Sequence, residues 1–509
     1  MPELTYFEHL SYILPEVAVT LGLCLVLCWE MFSRRQDRTA EARRARGMET
    51  GILSLGFLAI AGVLLLIRFS WNPATVFGMV EVDRFGTMFK LFITSAVAVV
   101  IGFDLMDRRA QDDGRSETYF LLLTAVLGSY FLVSSYNFLL IYLGLETLGL
   151  ASYALSGMHK RGRASAEAAL KYVVYGALAS GIMLFGASLL YGLSGTLQVD
   201  EMAGHIVTAV REGRSVQVAL PTLLILVGFG FKLSFFPFHW WAPDVYEGVP
   251  TPIATFLAVG SKGVALAAFL RVLAMAFAGI MVFDDPSVGI LNEPTPFLAN
   301  LGGTLAIISA ATMLVGNLAA LRQTNLKRLL AYSSIAHAGY IMMGVAVLKP
   351  SGFEAATLYT FIYYFMNLGA FGMVLYFANQ TGSEDIGSLK GMGYSHPWAG
   401  VATIVFLASL TGLPPTAGFA GKWILMMEAW DGGLGWLALW TGLMSVVSLF
   451  FYFRIAKMLF LRQADQEIAV VRTPILSGML VVLAVFSVVF LYFDPLLDLA
   501  KTGINDLFY

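Results

Sequence analysis

The stretch GFGFKLSFFPFHWWAPDVYEGVPTP, residues 228–252, decides the fold class. It begins as an apolar helix, reaches Lys232, and then carries prolines at positions 237, 243, 250 and 252. Proline removes a backbone donor and breaks helices, and broken backbone at membrane depth is tolerated only inside protein or beside a water-filled cavity. The stretch therefore predicts an interrupted helix at a hydrated site within a membrane.

The composition of the whole chain agrees with a membrane protein. Its 509 residues are 58% hydrophobic and 13% charged, about half the charged fraction of a soluble globule. A net charge of -2 offers no basic surface for nucleic acid. The six histidines are too dispersed to suggest a metal cluster, and two cysteines are too few for an iron-sulfur centre. No glycine-rich nucleotide motif follows a strand. We therefore expect a polytopic membrane protein with no cofactor or metal in this chain.

Apolar stretches of about 17 or more residues predict about fourteen transmembrane helices. The loops between them alternate in charge: one set carries about 18 lysines and arginines and the other about five. The positive-inside rule assigns the basic set to the cytoplasm. With an even number of crossings, both termini are predicted on the outer side.

Five ionisable residues stand out inside these apolar stretches. A charge in the hydrocarbon layer costs at least about 2.5 kcal/mol even on lenient insertion scales, so such residues usually line a polar pathway or pair with one another. The five together predict an ion path; they are Glu146, Lys171, Lys232, Lys262 and Lys422.

Glu146 lies in the middle of an apolar helix, and its partner must come from another helix. Lys232 or Lys171 could supply the opposite charge, because a lone carboxylate in lipid would be protonated. Burial disfavours a lysine ammonium, whereas a nearby carboxylate favours it, so moving the partner could switch the lysine between charged and neutral. The alternatives are a lysine that reaches to the interface and a purely structural ion pair.

Lys262 and Lys422 are the other two members of the predicted path. Gly260, Ser261 and Gly263 let a helix or water approach Lys262 closely, although backbone carbonyls could hold it for packing alone. Lys422 ends a second proline-interrupted stretch, LTGLPPTAGFAGK. Two interrupted helices that each carry a lysine indicate an internal repeat of the kind that forms transport sites.

Three further sites are auxiliary. Lys171 could be a relay or an anchor at the membrane interface, and His337 could be a relay or a hydrogen-bonded core residue. His239, with Asp244 and Glu247, could form a polar cytoplasmic mouth, or the segment could simply be a rigid loop.

Six motifs resemble the antiporter-like subunits of respiratory complex I, and most closely the subunit N family of bacterial NADH:quinone oxidoreductase. They lie between about residues 80 and 460: LGLE at 143–146, LKY at 170–172, FKLSFFPFHWWAPDVYEGVPTP at 231–252, SK at 261–262, LKRLLAYSSIAHAGY at 326–340 and LTGLPPTAGFAGK at 410–422. The resemblance implies an all-α fold of about fourteen helices with two inverted five-helix repeats. The implied units are helices 1–3 (1–116), the first repeat (117–280), the second repeat (296–461) and a C-terminal helix 14 (462–509).

The resemblance also implies roles in proton transfer. Glu146 and Lys232 would be a coupled pair, Lys262 the central relay and Lys422 the terminal lysine near the outward exit, with Lys171 auxiliary. The flavin, iron-sulfur clusters and quinone would be on partner subunits. Those partners would be the other membrane subunits of complex I, including antiporter-like siblings, in a bacterial inner membrane.

Two alternatives remain at this point. A subunit of a multisubunit cation/proton antiporter would share the architecture, and a passive scaffold is disfavoured because it gains nothing from buried charges. The residues do not distinguish proton from sodium, NADH from another electron donor, or a chain that binds quinone from one that does not.

Overall fold

The computed structural model describes residues 6–33, 39–110, 114–158, 162–277, 280–281, 295–463, 473–489 and 494–508. Helices make up most of this described part, with one short hairpin of strands. In chain order the elements are α1 (Tyr6–Tyr12), α2 (Leu14–Ser33), α3 (Ala40–Arg68), β1 (Ala74–Val76), β2 (Val80–Val82), α4 (Arg84–Met106), α5 (Arg115–Ser134), α6 (Phe138–Ser156), α7 (Arg163–Ser194), α8 (Val199–Arg211), α9 (Ser215–Leu233), α10 (Trp241–Gly248), α11 (Thr251–Ala258), α12 (Gly260–Phe277), α13 (Pro296–Ala320), α14 (Leu326–Ala346), α15 (Pro350–Thr381), α16 (Met392–Ser395), α17 (Pro397–Thr411), α18 (Ala417–Asp431), α19 (Gly435–Leu461), α20 (Pro474–Val489) and α21 (Asp494–Phe508).

The prediction of an all-α polytopic membrane protein is confirmed. Within the described residues, twelve helical segments are long and apolar enough to cross a membrane, one of them being α11 continued by α12. Two more predicted spans coincide with shorter apolar helices, α20 and the broken pair of α17 and α18. The division into inverted repeats at 117–280 and 296–461 stays a prediction, and most of the stretch between them, 282–294, lies outside the described residues.

Several elements were not predicted. The strands β1 and β2 form an antiparallel hairpin between α3 and α4. The C-terminal part, expected as one helix, contains α20 and a separate amphipathic α21, whose buried positions 500, 503, 504 and 507 repeat at helical spacing. Parts of the basic loops, including residues 34–38, 159–161 and Arg472, lie outside the described residues.

The centre of the bundle is the segment Thr251–Phe277, in which every residue is buried. A helix facing lipid would expose one side, so α11 and α12 must be surrounded by protein. A side chain at Gly263 would place its Cβ 2.3 Å from the Phe92 ring, and one at Gly260 would lie 2.8 Å from Ile93. These glycines therefore let α4 pack directly beside Lys262, as the small residues there predict.

Candidate ion path

Both interrupted helices are present, and each brings a lysine into the interior. α9 ends at Leu233, one residue after Lys232, and the chain crosses an irregular turn before α10 begins. α17 ends at Thr411, and α18 starts after the two prolines and carries Lys422 in its second turn. The two copies differ, because one lysine precedes its break and the other follows its break.

Lys232 is buried, with 2% of the residue exposed. Its Nζ lies 3.4 Å from the hydroxyl of Tyr172 and 5.7 Å from the centre of that ring. Glu146 acts on Lys232 through its charge, but the described residues contain no ion pair between them within 4.0 Å. The structure thus places the expected partners near each other without direct contact, and Glu146 itself is only half-buried.

Lys262 lies in the first turn of α12 and is also buried. Its Nζ donates a hydrogen bond of 2.6 Å to the Ser334 hydroxyl on α14 and lies 5.9 Å from the centre of the Tyr246 ring. A cavity of about 20 Å³ touches Lys262 and Ser334 and is also lined by Thr360 and Tyr363. That volume is enough for one water molecule among polar partners.

Lys422 joins the two halves of its broken helix. Its Nζ donates to the carbonyl oxygens of Leu410 at 3.0 Å and Thr411 at 2.9 Å, and lies 3.4 Å from the Ser445 hydroxyl. The last carbonyls of a helix have no partner within the helix and carry partial negative charge. The ammonium therefore caps α17 from α18, with the Tyr340 ring 4.4 Å away.

His337 lies between the second and third lysines. Its Nδ1 is 2.9 Å from the Tyr359 hydroxyl, and the charges of both Lys262 and Lys422 act on it. The ring is buried against three tyrosine rings, those of Tyr340, Tyr359 and Tyr363. The direction of its hydrogen bond depends on the tautomer, so this histidine can donate or accept a proton at Nδ1.

Lys171 belongs to an ionic cluster at the predicted cytoplasmic end. Its Nζ lies 2.5 Å from Asp244 and 2.8 Å from Glu167, and Arg328 contacts both Asp244 and Glu247 at 2.7 Å. Burial would raise the pKa of Asp244, but hydrogen bonds from Lys171 and Arg328 outweigh it and hold that pKa below its usual range. Lys171 is thus paired with acids of this cluster rather than with Glu146.

His239 is separate from that cluster. It is buried, its ring stacks on Phe236 at 5.8 Å, and its Nδ1 has no hydrogen-bond partner among the described residues. The predicted polar mouth therefore contains Asp244 and Glu247 but does not bring His239 to them.

A polar cavity of about 190 Å³ opens beside the ionic cluster. In its wall, Glu384 binds Lys327 at 2.9 Å and Arg109 at 3.0 Å, and Lys327 also donates to the carbonyl of Val249 at 2.6 Å. Burial alone would raise the pKa of Glu384, but the two cations outweigh it, so the pKa lies below the ordinary glutamate value. With a 3.2 Å hydrogen bond accepted from the Thr251 hydroxyl, the carboxylate ties the segment after α15 to α11, to α14 and to the segment after α4.

The stability of the folded chain should depend on the charge of Glu384. Because its folded-state pKa is lowered, its stabilisation is fully present above about pH 4.5 and is lost as the pH falls through the lower folded-state value. We expect Glu384→Gln to lower the thermal midpoint of the solubilised complex at pH 6 and to reduce the further fall on acidification. Thermal unfolding at pH 6 and pH 4 measures this, with the exposed Glu41→Gln as control. An unchanged midpoint in Glu384→Gln at pH 6 would contradict the role of the carboxylate.

Tyrosines are the site residues that sequence reasoning missed. Each lysine of the path lies near the face of one tyrosine ring, an arrangement that stabilises the ammonium by about 0.5–2 kcal/mol. A phenol can also donate and accept a proton. The tyrosines near Lys232, Lys262 and Lys422 are Tyr172, Tyr246 and Tyr340. They lie within the motifs LKY, PDVYEG and AHAGY, so their place in these motifs was the sequence signal that could have identified them.

Other buried charges were also missed. Arg271 on α12 is fully buried and makes two hydrogen bonds to Asp83, of 2.6 and 2.9 Å, and one of 2.8 Å to the carbonyl of Val133. Such a bidentate pair is locked in its charged state and holds α12 to the start of α4. A second group, around Lys90, lies among the N-terminal helices.

A comparison with known protein families identifies the family to which this chain belongs. The transmembrane family model "NADH:quinone oxidoreductase/Mrp antiporter" matches residues 135–448. The chain belongs to this family. All seven candidate residues lie within the matched region: Glu146, Lys171, Lys232, His239, Lys262, His337 and Lys422.

The sequence similarity to individual relatives extends beyond the region that the family model matches. The chain is 39% identical over 500 residues to "NADH-quinone oxidoreductase subunit N" of Anaeromyxobacter sp. (strain Fw109-5), covering 94% of this chain and 92% of the relative. It is 36% identical over 513 residues to "NAD(P)H-quinone oxidoreductase subunit 2" of Synechocystis sp., covering 97% and 92%. Both relatives therefore align with the N-terminal helices as well as with the candidate path.

Solved structures agree on the fold. A chain of respiratory complex I from Thermus thermophilus with bound aureothin superposes with a TM-score of 0.76 and 30% identity, covering 96% of this chain and all of that chain. A chain of the Mrp complex from Dietzia sp. superposes with a TM-score of 0.79 at 20% identity, covering 98% of both. The second likeness shows the family fold alone.

Proposed function

We propose that this chain is a proton-translocating membrane subunit of an NADH:quinone oxidoreductase, in which quinone reduction elsewhere in the complex drives proton transfer along buried lysines. Relatives named subunit N, aligned over nearly the whole chain, support this over a cation/proton antiporter subunit. The flavin, iron-sulfur clusters and quinone are assigned to partner subunits. The neighbours are other membrane subunits of the complex, including antiporter-like siblings.

One observation carries the proposal. Lys232, Lys262 and Lys422 are each at most 5% exposed, and none has a carboxylate within 4.0 Å among the described residues. Without a fixed counter-charge, losing a proton removes the cost of burying the ammonium. Each of the three amines can therefore change its charge state, unlike Arg271.

The proposed transfer runs from Lys232 through Lys262 to Lys422. Movement or neutralisation of Glu146 withdraws the charge that favours the Lys232 ammonium, which then releases a proton to water. Lys262 takes up the proton beside Ser334, and His337, between the two later lysines, passes it on towards Lys422. Lys171 with Asp244 supplies protons from the cytoplasmic end.

A change in the proton affinity of a buried lysine can supply the energy needed to move a proton against the membrane potential. Moving one charge against 100 mV costs about 2.3 kcal/mol, which corresponds to an approximately fifty-fold change in the proton affinity of the carrier. The orientation we propose has both termini on the outer side of a bacterial inner membrane, because the basic loops then face the cytoplasm.

Lys232→Ala in the assembled complex tests the proposal. A positioned acid or base commonly accelerates proton transfer by about 10² or more, so transfer through this chain should fall by a similar factor. The measurement is the number of protons pumped per electron in proteoliposomes, with NADH oxidation recorded in parallel. The exposed Lys501→Ala is the control. A normal proton-to-electron ratio in Lys232→Ala would refute the role of this lysine.

A further inference from the structure

A second group of buried charges lies among α2, α3 and α4, outside the matched region 135–448. Lys90 Nζ is 2.5 Å from Glu16 Oε1, and their side chains are 1% and 5% exposed. The Arg68 guanidinium is 3.8 Å from the other oxygen of Glu16 and only 2% exposed. Its three nitrogens have no hydrogen-bond partner among the described residues. The group is called the outer triad below.

Counting charges in the outer triad shows which member can change its charge state. Arginine is always protonated in proteins, so Arg68 contributes a permanent positive charge. Glu16 supplies one negative charge to the two cations, at 2.5 Å from Lys90 and 3.8 Å from Arg68, so the triad carries one positive charge in excess. Loss of a proton from Lys90 leaves a neutral triad, whereas loss of any other charge leaves a buried ion without a partner. Lys90 is therefore the member able to hold or release a proton.

Among the described residues, no other acid removes this excess. Asp83 acts on Lys90 and Arg68 by charge, but it is bound by Arg271. Tyr130, on α5, lies with its ring centre 5.7 Å from Lys90 Nζ, and its hydroxyl bonds Thr94 at 2.5 Å. The remaining titratable group is Tyr12 of α1, whose ring lies 5.9 Å from the Arg68 guanidinium.

The outer triad lies near the predicted outward surface. Arg68 is in the last turn of α3, and Tyr12 contacts Trp71 at 5.2 Å between ring centres. Trp71 is 36% exposed, so the Tyr12 side chain contacts both the triad and a partly exposed residue. Water reaching the triad would come from the outer side.

The helix that carries Lys90 also packs against the central lysine of the path. The Phe92 ring, two residues after Lys90, fills the space left by Gly263, the residue after Lys262. On the same helix, Ser95 accepts a hydrogen bond of 2.9 Å from Tyr364, whose neighbour Tyr363 lines the cavity at Lys262. α4 therefore links the outer triad to the interior of the proposed path.

We propose that the amine of Lys90 is an additional proton-binding site of this chain, outside the path of Lys232, Lys262 and Lys422, and that it exchanges its proton with water on the outer side. The ammonium gives one proton to water and becomes a neutral amine, while Arg68 and Glu16 remain a neutral pair; the reverse step takes one proton up. The inference rests on the proposed function, because it assigns to this site a share in the outward release of translocated protons, beside the terminal lysine Lys422.

Lys90→Arg and Lys90→Met in the assembled complex provide the test. Arginine keeps a cation beside Glu16 but cannot release a proton, and methionine removes the cation. Protons pumped per electron, normalised to assembled complex, are measured in proteoliposomes as the pH on the outer side is varied. We expect both variants to lower the ratio, by no more than Lys262→Met does, and to flatten its dependence on outer pH, with Lys501→Met as control.

Rescue by arginine separates a proton site from a structural ion pair. If Lys90→Arg pumps with the wild-type ratio and pH profile, the pair only holds the helices together and the inference is overturned. If Lys262→Met lowers the ratio while Lys90→Arg does not, the proposed function stands and the Lys90 site alone fails. If Lys262→Met has no effect, the proposed function itself fails.

Discussion

Lys262→Met is expected to stop proton transfer through this chain while leaving the fold intact. Methionine is unbranched like lysine and one atom shorter, so the contact of Gly263 with Phe92 should survive and only the amine beside Ser334 is lost. Among the described residues, no other amine, imidazole or carboxylate lines the cavity at this point, so no other side chain there can carry the proton as a cation. We expect the rate through this chain to fall by about 10² or more.

The measurement is proton uptake by proteoliposomes per electron transferred, compared with Lys457→Met, which changes an exposed lysine on α19. Ser334→Ala adds a graded control, since it keeps the amine and removes only the hydroxyl that accepts its hydrogen bond. It should lower the rate less than Lys262→Met. Full pumping by Lys262→Met would contradict a relay at this position.

Gly418→Ala is expected to separate the two halves of the second broken helix. A Cβ at Gly418 would lie 1.8 Å from the carbonyl oxygen of Ser409 and 2.7 Å from its carbonyl carbon. These are backbone atoms of α17, so a side-chain rotation cannot relieve the clash. Overpacking of this kind costs about 1–3 kcal/mol or more. The separation would also pull Lys422 away from the carbonyls of Leu410 and Thr411.

We expect Gly418→Ala to lower the thermal midpoint of the assembled complex and to reduce pumping together with it. Gly303→Ala in α13 is the matched control, because nothing lies within 4 Å of the added Cβ there. Alanine in an open helical position favours the helix by about 1 kcal/mol, so this variant should be at least as stable as the parent. Equal stability of the two variants would show that α17 and α18 do not need their close contact.

The path lysines could be located from sequence because charge is rare and costly inside apolar stretches. The breaks beside Lys232 and Lys422 could be predicted because proline has a local effect on the backbone. The acids that pair with these lysines could not be predicted, because which acid reaches which lysine depends on how separate helices pack. Glu146 was expected beside Lys232 or Lys171, whereas Lys171 binds Asp244 and Glu167.

The missed elements have a related cause. Lys90 is a charge inside an apolar stretch, the same signal that singles out Lys171. Its place near the end of that stretch is also typical of a lysine that reaches to the membrane interface, so sequence alone does not predict its burial. The helix α21 has a polar face, so a search for apolar stretches does not find it. Its register could have been read from the spacing of Ala500, Gly503, Ile504 and Leu507, but its position against α4, where Asp506 accepts a hydrogen bond from the Arg84 backbone, depends on tertiary contacts.

The contact of Lys422 with α17 has a mechanical consequence. The same nitrogen that can carry a proton also supplies the donors that bridge one half-helix to the other. A charged amine binds those carbonyl oxygens more strongly than a neutral one, because a charge-assisted hydrogen bond is about twice as strong. Protonation of Lys422 therefore strengthens the contact between α17 and α18, and loss of the proton weakens it. A change in the charge of one side chain can in this way shift one half-helix relative to the other.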